Sequence, residues 1–445
     1  MKNKTARLIW LTLILLFCAG MASAETISLS LDQCLQTAYQ NNQTLLQLEE
    51  KINSAGYKIE ETRSGFYPQF SFTGSYTRLG NVPGYEIPGI PITIDTLQFI
   101  FGPFKQKLGA ANNYNFTLSL QQPLFTWGKI RNGYRISQQG LSLAQEDYRK
   151  NKQEIKYNVV SLFYNIILAR ELIKVREESI TSLQDHLKTV QDRYDKGYAS
   201  EFDVLRARVQ LTNAQPPLVQ AKNLYRNALD NMKNLLGIDI KDSVNVEGSL
   251  GFDSLGVDPS QAEDFAFKNR AELKLINQQK KISQLSLAIA QAGNKPTVVG
   301  SANLLYERPY SSQDIWKTDW NFTLVLSLPI FDGFLTRSKV RQAKSDIKQL
   351  DVSENQVKDY IKLEISQAIS DLNLAKENIL SQQENVSQAK EGLRIAKVQY
   401  QNGLLTNLEL LDTEFALTVA ETNYLQALSD YTIAKAKFEK AIGKD

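Results

Sequence analysis

The amino-acid sequence predicts an α+β membrane protein built as an internal duplicate, in which pairs of amphipathic strands feed very long heptad helices. Three observations carry this. Sliding the chain against itself by 206 positions lays Tyr194 on Tyr400, Gly197 on Gly403, Ser200 on Thr406 and Leu205 on Leu411. The same shift lays Asn115-Phe116-Thr117-Leu118 on the identical run Asn321-Phe322-Thr323-Leu324, and a period that long is one structural unit repeated. Four segments alternate apolar with small polar residues. Two proline-free segments, 128–196 and 333–402, repeat apolar residues every seventh position.

The first residues read as an export leader: Lys2, Lys4 and Arg7, an apolar run from Leu8 to Phe17, then Ala22-Ser23-Ala24 before Glu25. Phe17 before Cys18 argues against a lipoprotein site, so the signal peptide is expected to span 1–24. The chain carries 51 basic and 48 acidic residues, and three of the basic ones lie in the leader. The mature chain is therefore balanced and gives no electrostatic case for nucleic acid. Only Cys34 survives cleavage, which excludes an internal disulfide and reads as a small buried hydrophobe. No later segment has the ~20 uninterrupted apolar residues of a spanning helix, so any entry into a membrane is by strands. No Gly-rich phosphate loop or metal-spaced Cys/His cluster appears, and no catalytic residue, cofactor or metal is expected. His186, the one histidine, sits mid-helix and reads as a solvated or interfacial residue.

Strands are expected at 69–77, 114–121, 298–306 and 320–328. In the first, Phe70, Phe72, Gly74 and Tyr76 oppose Gln69, Ser71, Thr73 and Ser75. In the second, Tyr114, Phe116, Leu118 and Leu120 oppose Asn115, Thr117, Ser119 and Gln121. An apolar face outward and a small polar face inward mark a strand of an outer-membrane barrel, although a half-buried strand of a soluble sandwich has the same pattern. Four strands cannot close a barrel, for which roughly eight are the minimum. An open edge is not tolerated in lipid, so closure calls for other copies, and three would give twelve strands. The first hairpin exceeds the second by 22 residues between Leu79 and Ala111, and Pro83, Pro88, Pro91 and Pro103 make that stretch read as a long surface loop.

Each strand pair leads into a long helix of ~100 Å at 1.5 Å rise per residue. Val159, Ile166, Ile173, Ile180, Leu187 and Tyr194 recur every seventh residue, and Ile365, Leu372, Ile379, Val386, Leu393 and Tyr400 repeat them. Strict heptads impose coiled-coil packing. Return helices are expected at 202–236 and 408–442, with Pro216-Pro217 kinking the first, and lead-in helices at 31–63 and 261–292. The Gly-, Asp- and Ser-rich stretch 237–260 joins two repeats, 25–236 and 261–445.

The duplication, the strand pairs feeding long helices, and the closing triplets Pro-Leu-Phe (123–125) and Pro-Ile-Phe (329–331) resemble the TolC-like outer-membrane efflux family, also called outer membrane factors. The resemblance covers nearly the whole mature chain. It implies a homotrimeric α/β-barrel: four strands per protomer in a 12-stranded barrel of the bacterial outer membrane, continuous with a coiled-coil tunnel through the periplasm. It further implies a non-enzymatic exit duct for a tripartite efflux pump or type I secretion system. Such a duct meets a periplasmic adaptor, an inner-membrane RND, ABC or MFS transporter, and outer-membrane lipid. A trimeric coiled-coil surface rod without transport is the rival, which explains heptads and export but not the strands.

The resemblance also assigns residues. Gly197, Tyr198, Ala199 and Ser200, with Gly403, Leu404, Leu405 and Thr406, are similar to the family's adaptor-docking tips. The same residues also read as glycines ending one helix and Ser200 or Thr406 capping the next. Glu409 and Asp412 match two acids that ring the family's closed tunnel entrance. Spaced i, i+3 they share a helical face, and three copies would crowd six carboxylates and attract cations. Glu409 equally completes a capping box with Thr406. Asp203 and Tyr400 match positions that hold the family's entrance shut, whereas its iris-locking arginine aligns with Leu405. Tyr400 also ends the heptad line, so packing is its other reading.

Overall fold

The computed structural model describes residues 27–444 apart from 254, 255, 257 and 312, so the expected signal peptide lies outside the described residues. In chain order the elements are β1 (Ile27–Leu29), α1 (Leu31–Asn41), α2 (Gln43–Arg63), β2 (Gln69–Arg78), β3 (Gly84–Ile87), β4 (Ile90–Ile94), β5 (Leu97–Phe101), β6 (Phe104–Lys107) and β7 (Asn112–Phe125). They continue as α3 (Lys129–Asp195), α4 (Glu201–Leu236), β8 (Val244–Val246), α5 (Pro259–Asn269), α6 (Ala271–Gln291), β9 (Thr297–Arg308), β10 (Lys317–Ser327), α7 (Leu335–Gln401) and α8 (Asn407–Ala441). Both α3 and α7 are 67 residues long. The described residues divide into two compact units, one drawn from 27–51, 144–276 and 353–444, the other from 52–143 and 277–352.

The second unit is organised by an antiparallel four-stranded sheet in the order β10-β9-β7-β2. Register puts like with like: Gln69 faces Gln121, Ser71 faces Ser119 and Thr73 faces Thr117, while Phe70 faces Leu120 and Phe72 faces Leu118. Side chains alternate between the two faces, so this register gives one polar face and one apolar face. Apart from Trp316, which packs on Tyr114, Phe116 and Tyr306, the apolar face is largely uncovered within the chain, with Phe70 70%, Phe72 69%, Trp320 72% and Leu326 68% exposed. The edge strands β2 and β10 each keep one free row of backbone groups.

The stretch 79–111, expected as loop, is instead an ordered arm. There β3 pairs with β6, and β4 with β5 through Ile90↔Phe101, Ile92↔Phe99 and Ile94↔Leu97. The reason is strand periodicity inside the proline-rich stretch: Ile90, Ile92 and Ile94 alternate with Pro91 and Thr93, and the ladder tolerates Pro91 because β4 has only one neighbour.

The first unit is helical, and its core follows the heptads. Val159, Ile166, Ile365, Leu372 and Ile379 are all at most 3% exposed, and Ala368 is fully buried between Ile365 and Leu372. Each such isoleucine or leucine contributes roughly 1.5–3 kcal/mol by leaving water. The lead-in helices expected as continuous are each broken. At Asn42 the helix stops and restarts, because the Asn42 side chain accepts from the backbone N–H of Thr44 (3.0 Å) and Leu45 (3.3 Å) while donating to Leu235 O (2.8 Å). At Arg270 the buried guanidinium bridges Glu272 (2.9 Å) and Glu364 (2.7 Å) and donates to Ala441 O. α4 runs through Pro216-Pro217 without interruption.

α4 ends on Gly237, whose φ of +68° lies in the left-handed region. A Cβ there would meet Asn41 O at 2.4 Å, whereas one at Gly197 would meet nothing within 4 Å. Gly237→Ala is therefore expected to destabilise the protein by about 2–3 kcal/mol, combining left-handed strain with overlap. Gly197→Ala should cost about 1 kcal/mol. Thermal melting of the two variants in detergent checks the difference.

Candidate functional site

The candidate site is the pair of helix turns, α3 to α4 and α7 to α8. Both are built by one local code. Gly197 (φ +80°) and Gly403 (φ +73°) end their helices in the left-handed conformation. The N–H of Tyr198 returns to Arg193 O (2.7 Å) and that of Leu404 to Gln399 O (2.9 Å), which satisfies carbonyls the helix leaves open. Three residues on, Ser200 and Thr406 start the next helices with complete capping boxes. Ser200 accepts from Asp203 N (3.1 Å) and its own N–H donates to Asp203 Oδ2 (3.0 Å). Thr406 N donates to Glu409 Oε2 (2.8 Å), and the Thr406 hydroxyl donates to the same oxygen (2.6 Å).

At the apex of each turn a large apolar side chain stands in solvent, Tyr198 at 78% and Leu404 at 77% exposure. Their neighbours Ala199 and Leu405 pack inward on a small core of Val190, Val204, Ala207, Ala396, Tyr400 and Leu410. Leu405 thus supplies apolar packing at the position where the resemblance placed an arginine. Glu409 and Asp412 are both exposed on α8.

Asp203 and Tyr400 are not hydrogen-bonded to each other. The Asp203 carboxylate is engaged by the Ser200 hydroxyl at 2.7 Å and by Asn407 Nδ2 at 3.4 Å. Tyr400 is 7% exposed, its carbonyl accepts from Arg193 Nη1 (2.8 Å), and the Arg193 guanidinium lies 4.8 Å from the centre of its ring. Burial pushes the Tyr400 hydroxyl above its ordinary pKa and the Asp203 charge adds to this, against the Arg193 cation.

Two groups that tie the turns together escaped the sequence reading. His186 is 6% exposed, so its solvated reading is overturned and its interfacial one stands. Its Nε2 meets Asn407 Oδ1 at 2.6 Å, and Asn407 Nδ2 donates to Asp203 O at 3.1 Å. Since the amide nitrogen is the donor to Asp203, its oxygen is the acceptor, and His186 Nε2 carries the proton. One imidazole in α3 is thereby linked through the first residue of α8 to the first turn of α4. The second group is Glu414, 8% exposed, which accepts from Ser182 Oγ at 2.8 Å and lies 3.6 Å from Lys397 Nζ. The hydrogen-bond partners Asn407 of His186 and Ser182 of Glu414 lie more than two hundred positions away, and neither residue has a counterpart of its kind in the other repeat: the shift of 206 sets His186 on Gly392 and Glu414 on Arg208.

His186→Ala is expected to cost about 2 kcal/mol, because it leaves the buried Asn407 oxygen unpaired. Faster amide exchange confined to 403–410 in hydrogen-exchange mass spectrometry checks this. The turns should also respond to acid. The Thr406 hydroxyl and backbone N–H hold the Glu409 carboxyl below its ordinary pKa, and the Ser200 hydroxyl, Asn407 and the Arg206 charge do the same for Asp203. A depressed carboxyl stabilises fully above the ordinary carboxylate range and loses that contribution as pH falls through its lowered value. Protection of the turn amides, corrected for intrinsic rates, should therefore hold from neutral pH to the ordinary carboxylate range and fall only below it.

Comparison with known proteins agrees with this architecture. Residues 34–238 and 264–444 match the family model described as outer membrane efflux protein. The outer membrane efflux protein BepC of Brucella suis biovar 1 is 20% identical over 438 residues, covering 97% of this chain and 89% of that protein. The alkaline protease secretion protein AprF of Pseudomonas aeruginosa is 23% identical over 347 residues, covering 76% of this chain and 70% of that protein. Among solved structures, the channel CusC superposes with a TM-score of 0.79 at 18% identity, covering 93% of this chain and 92% of that one, which is likeness of fold. The chain belongs to the outer membrane efflux protein family.

Proposed function

We propose that this outer-membrane protein is the exit duct of a tripartite efflux pump or type I secretion system, working as a homotrimer without enzymatic activity. The observation that carries the reading is the four-stranded sheet with a largely uncovered apolar face and two unpaired edges. Backbone groups in hydrocarbon have to be paired, and joining β2 of one copy to β10 of the next in a ring of three gives twelve strands and no edge. The names of relatives, which include both efflux and protease-secretion proteins, support this class of function.

In this reading the helix turns face a periplasmic adaptor, and the adaptor couples the duct to an RND, ABC or MFS transporter in the inner membrane. Tyr198 and Leu404 are the apolar anchors, because they are the large side chains that the turns hold in water rather than in their own core. The two turns, Gly197 to Ser200 and Gly403 to Thr406, are the docking tips. Glu409 serves twice, as cap of α8 and, with Asp412, as part of an acidic ring at the tunnel entrance. Asp203 and Tyr400 take part in holding the entrance, Asp203 through Asn407 and Tyr400 through Arg193 and its packing.

Conductance of the mature protein in planar bilayers tests the duct and the ring together. Glu409→Gln/Asp412→Asn removes the charges while a glutamine still completes the capping box. A cation-selective current that loses its selectivity in this variant is expected. Unchanged selectivity would return both acids to the helix surface, and well-folded trimers without conductance would support a structural rod instead.

A further inference from the structure

At the helical end of the strands the second unit carries a charge arrangement that its own residues leave unanswered. α2 runs into β2, β7 runs into α3, and the two junctions enclose an open groove of about 600 Å³ between them. Arg63 enters it from the end of α2, and Arg131 and Arg135, one turn apart, from the start of α3. Beside the arginines stand aromatic side chains: Phe66 meets Tyr134 edge-on with centroids 5.7 Å apart, and Arg63 lies 6.0 Å from the centre of the Tyr67 ring. None of the three arginines makes an ion pair among the described residues, although the rest of the chain pairs many of its cations. On α2 itself, Glu61 is tied to Lys58 at 2.6 Å.

The depth of the groove identifies its ligand. β2 begins at Gln69, and its apolar face starts with Phe70 and Phe72, each about 70% exposed. Moving from there toward the helices, the chain presents Tyr67 and Phe66, then Arg63. From β7 it presents Phe125 against Trp127 (5.2 Å), then Arg131 and Arg135. Apolar, then aromatic, then basic is the order of hydrocarbon, interface and headgroup. At 1.5 Å per residue Arg131 and Arg135 lie about 3 and 9 Å from the start of α3 at Lys129, and a long arginine side chain reaches from there toward a headgroup layer roughly 5–8 Å deep. A guanidinium fork matches two phosphate oxygens at once.

We propose that Arg63, Arg131 and Arg135 form a binding site for the phosphate of an anionic phospholipid in the leaflet on the helical side of the barrel. The aromatic rings of Phe66, Tyr67 and Tyr134 line it with the arginines. This rests on the reading that the strands lie in the membrane. The site fixes the depth of the barrel by seating charge at the helical rim, a task the apolar side chains Phe70 and Phe72 at that end of β2 cannot perform. Phosphodiester charge is the recognised chemistry, and the lipid is its source because Phe66 and Tyr67 of the groove lead directly into the exposed apolar residues Phe70 and Phe72 of β2.

The test uses the full mature protein in nanodiscs of phosphatidylcholine with or without phosphatidylglycerol. Bound lipid is measured by native mass spectrometry and stability by thermal melting. Arg63→Gln/Arg131→Gln/Arg135→Gln is compared with the charge-reduced control Arg208→Gln/Arg226→Gln and with the all-lysine version of the triple variant. Wild type is expected to retain phosphatidylglycerol and to melt higher in its presence. The glutamine variant should lose its preference for the anionic lipid by roughly tenfold or more, the lysine variant should keep part of it, and the control should keep all of it. An undiminished preference in the glutamine variant would overturn the proposal. So would stabilisation of wild type by inorganic phosphate alone, which would assign a free anion. Dissociation of glutamine-variant trimers in lipid-free detergent would assign the arginines to a contact with a second copy. Wild type that fails to enter nanodiscs would sink the membrane reading itself, and insertion without anionic preference would sink this proposal alone.

Discussion

Hydrogen bonding of the backbone in hydrocarbon is the constraint on which the rest of this molecule depends. Water is absent there, so every peptide group needs a protein partner. The chain provides only four strands and leaves β2 and β10 each with an open side. A polypeptide with twelve strands would satisfy the same demand alone. In the proposed trimer this one leaves it to assembly, and the demand reaches well beyond the sheet. It explains why side chains such as Phe70 and Trp320 can stand uncovered in a single chain without being errors of folding. It also explains why so little apolar surface is buried in the second unit, whose strands have no opposing layer.

The helical unit answers a different demand. Long helices are rigid only when a continuous seam holds them, and the seam here is the heptad line from Ile361 to Tyr400, buried along most of its course. At the far end of that seam the chain has to turn within five residues. It does so with contacts that are almost all local: left-handed glycine, returning N–H groups and capping box. The few long-range ties, from His186 to Asn407 and from Arg193 to Tyr400, join one turn to the other. The resulting site is chemically two-sided, with apolar side chains at the apex, carboxylates on the flank and a small dry core behind.

Much of this was legible in the sequence because it is periodic. Alternation located four strands to within a few residues, heptads located the long helices to within two, and the identity of the turns followed from glycine and hydroxyl residues at fixed spacing. What escaped has three physical causes. The arm at 84–107 hides strand alternation among prolines, which mark loops when counted and are tolerated in an isolated ladder. The helix breaks at Asn42 and Arg270 depend on side chains reaching carbonyls at Leu235 and Ala441, and no local pattern announces such distant partners. His186 and Glu414 are polar residues whose burial is decided by the neighbouring helix, so their own flanking residues read as an ordinary solvated face. Among the candidate residues, the capping role of Glu409 was readable from spacing alone, whereas the absence of a direct Asp203 to Tyr400 bond was not.

The arm also bears on how such a chain can change over generations. It is laddered to itself, and it joins β2 and β7 through contacts at its base such as Leu79 N to Ala111 O at 2.8 Å. Adding or removing paired residues there leaves the register of the main sheet untouched, and doubling a loop costs only about 0.6 kcal/mol in closure entropy. One residue inserted into α3 would rotate everything beyond it by about 100° and carry the whole seam off its partner. Mutational drift is therefore cheap in the arm and forbidden along the long helices, which is how two repeats can differ by 22 residues between their strands and still keep helices of identical length.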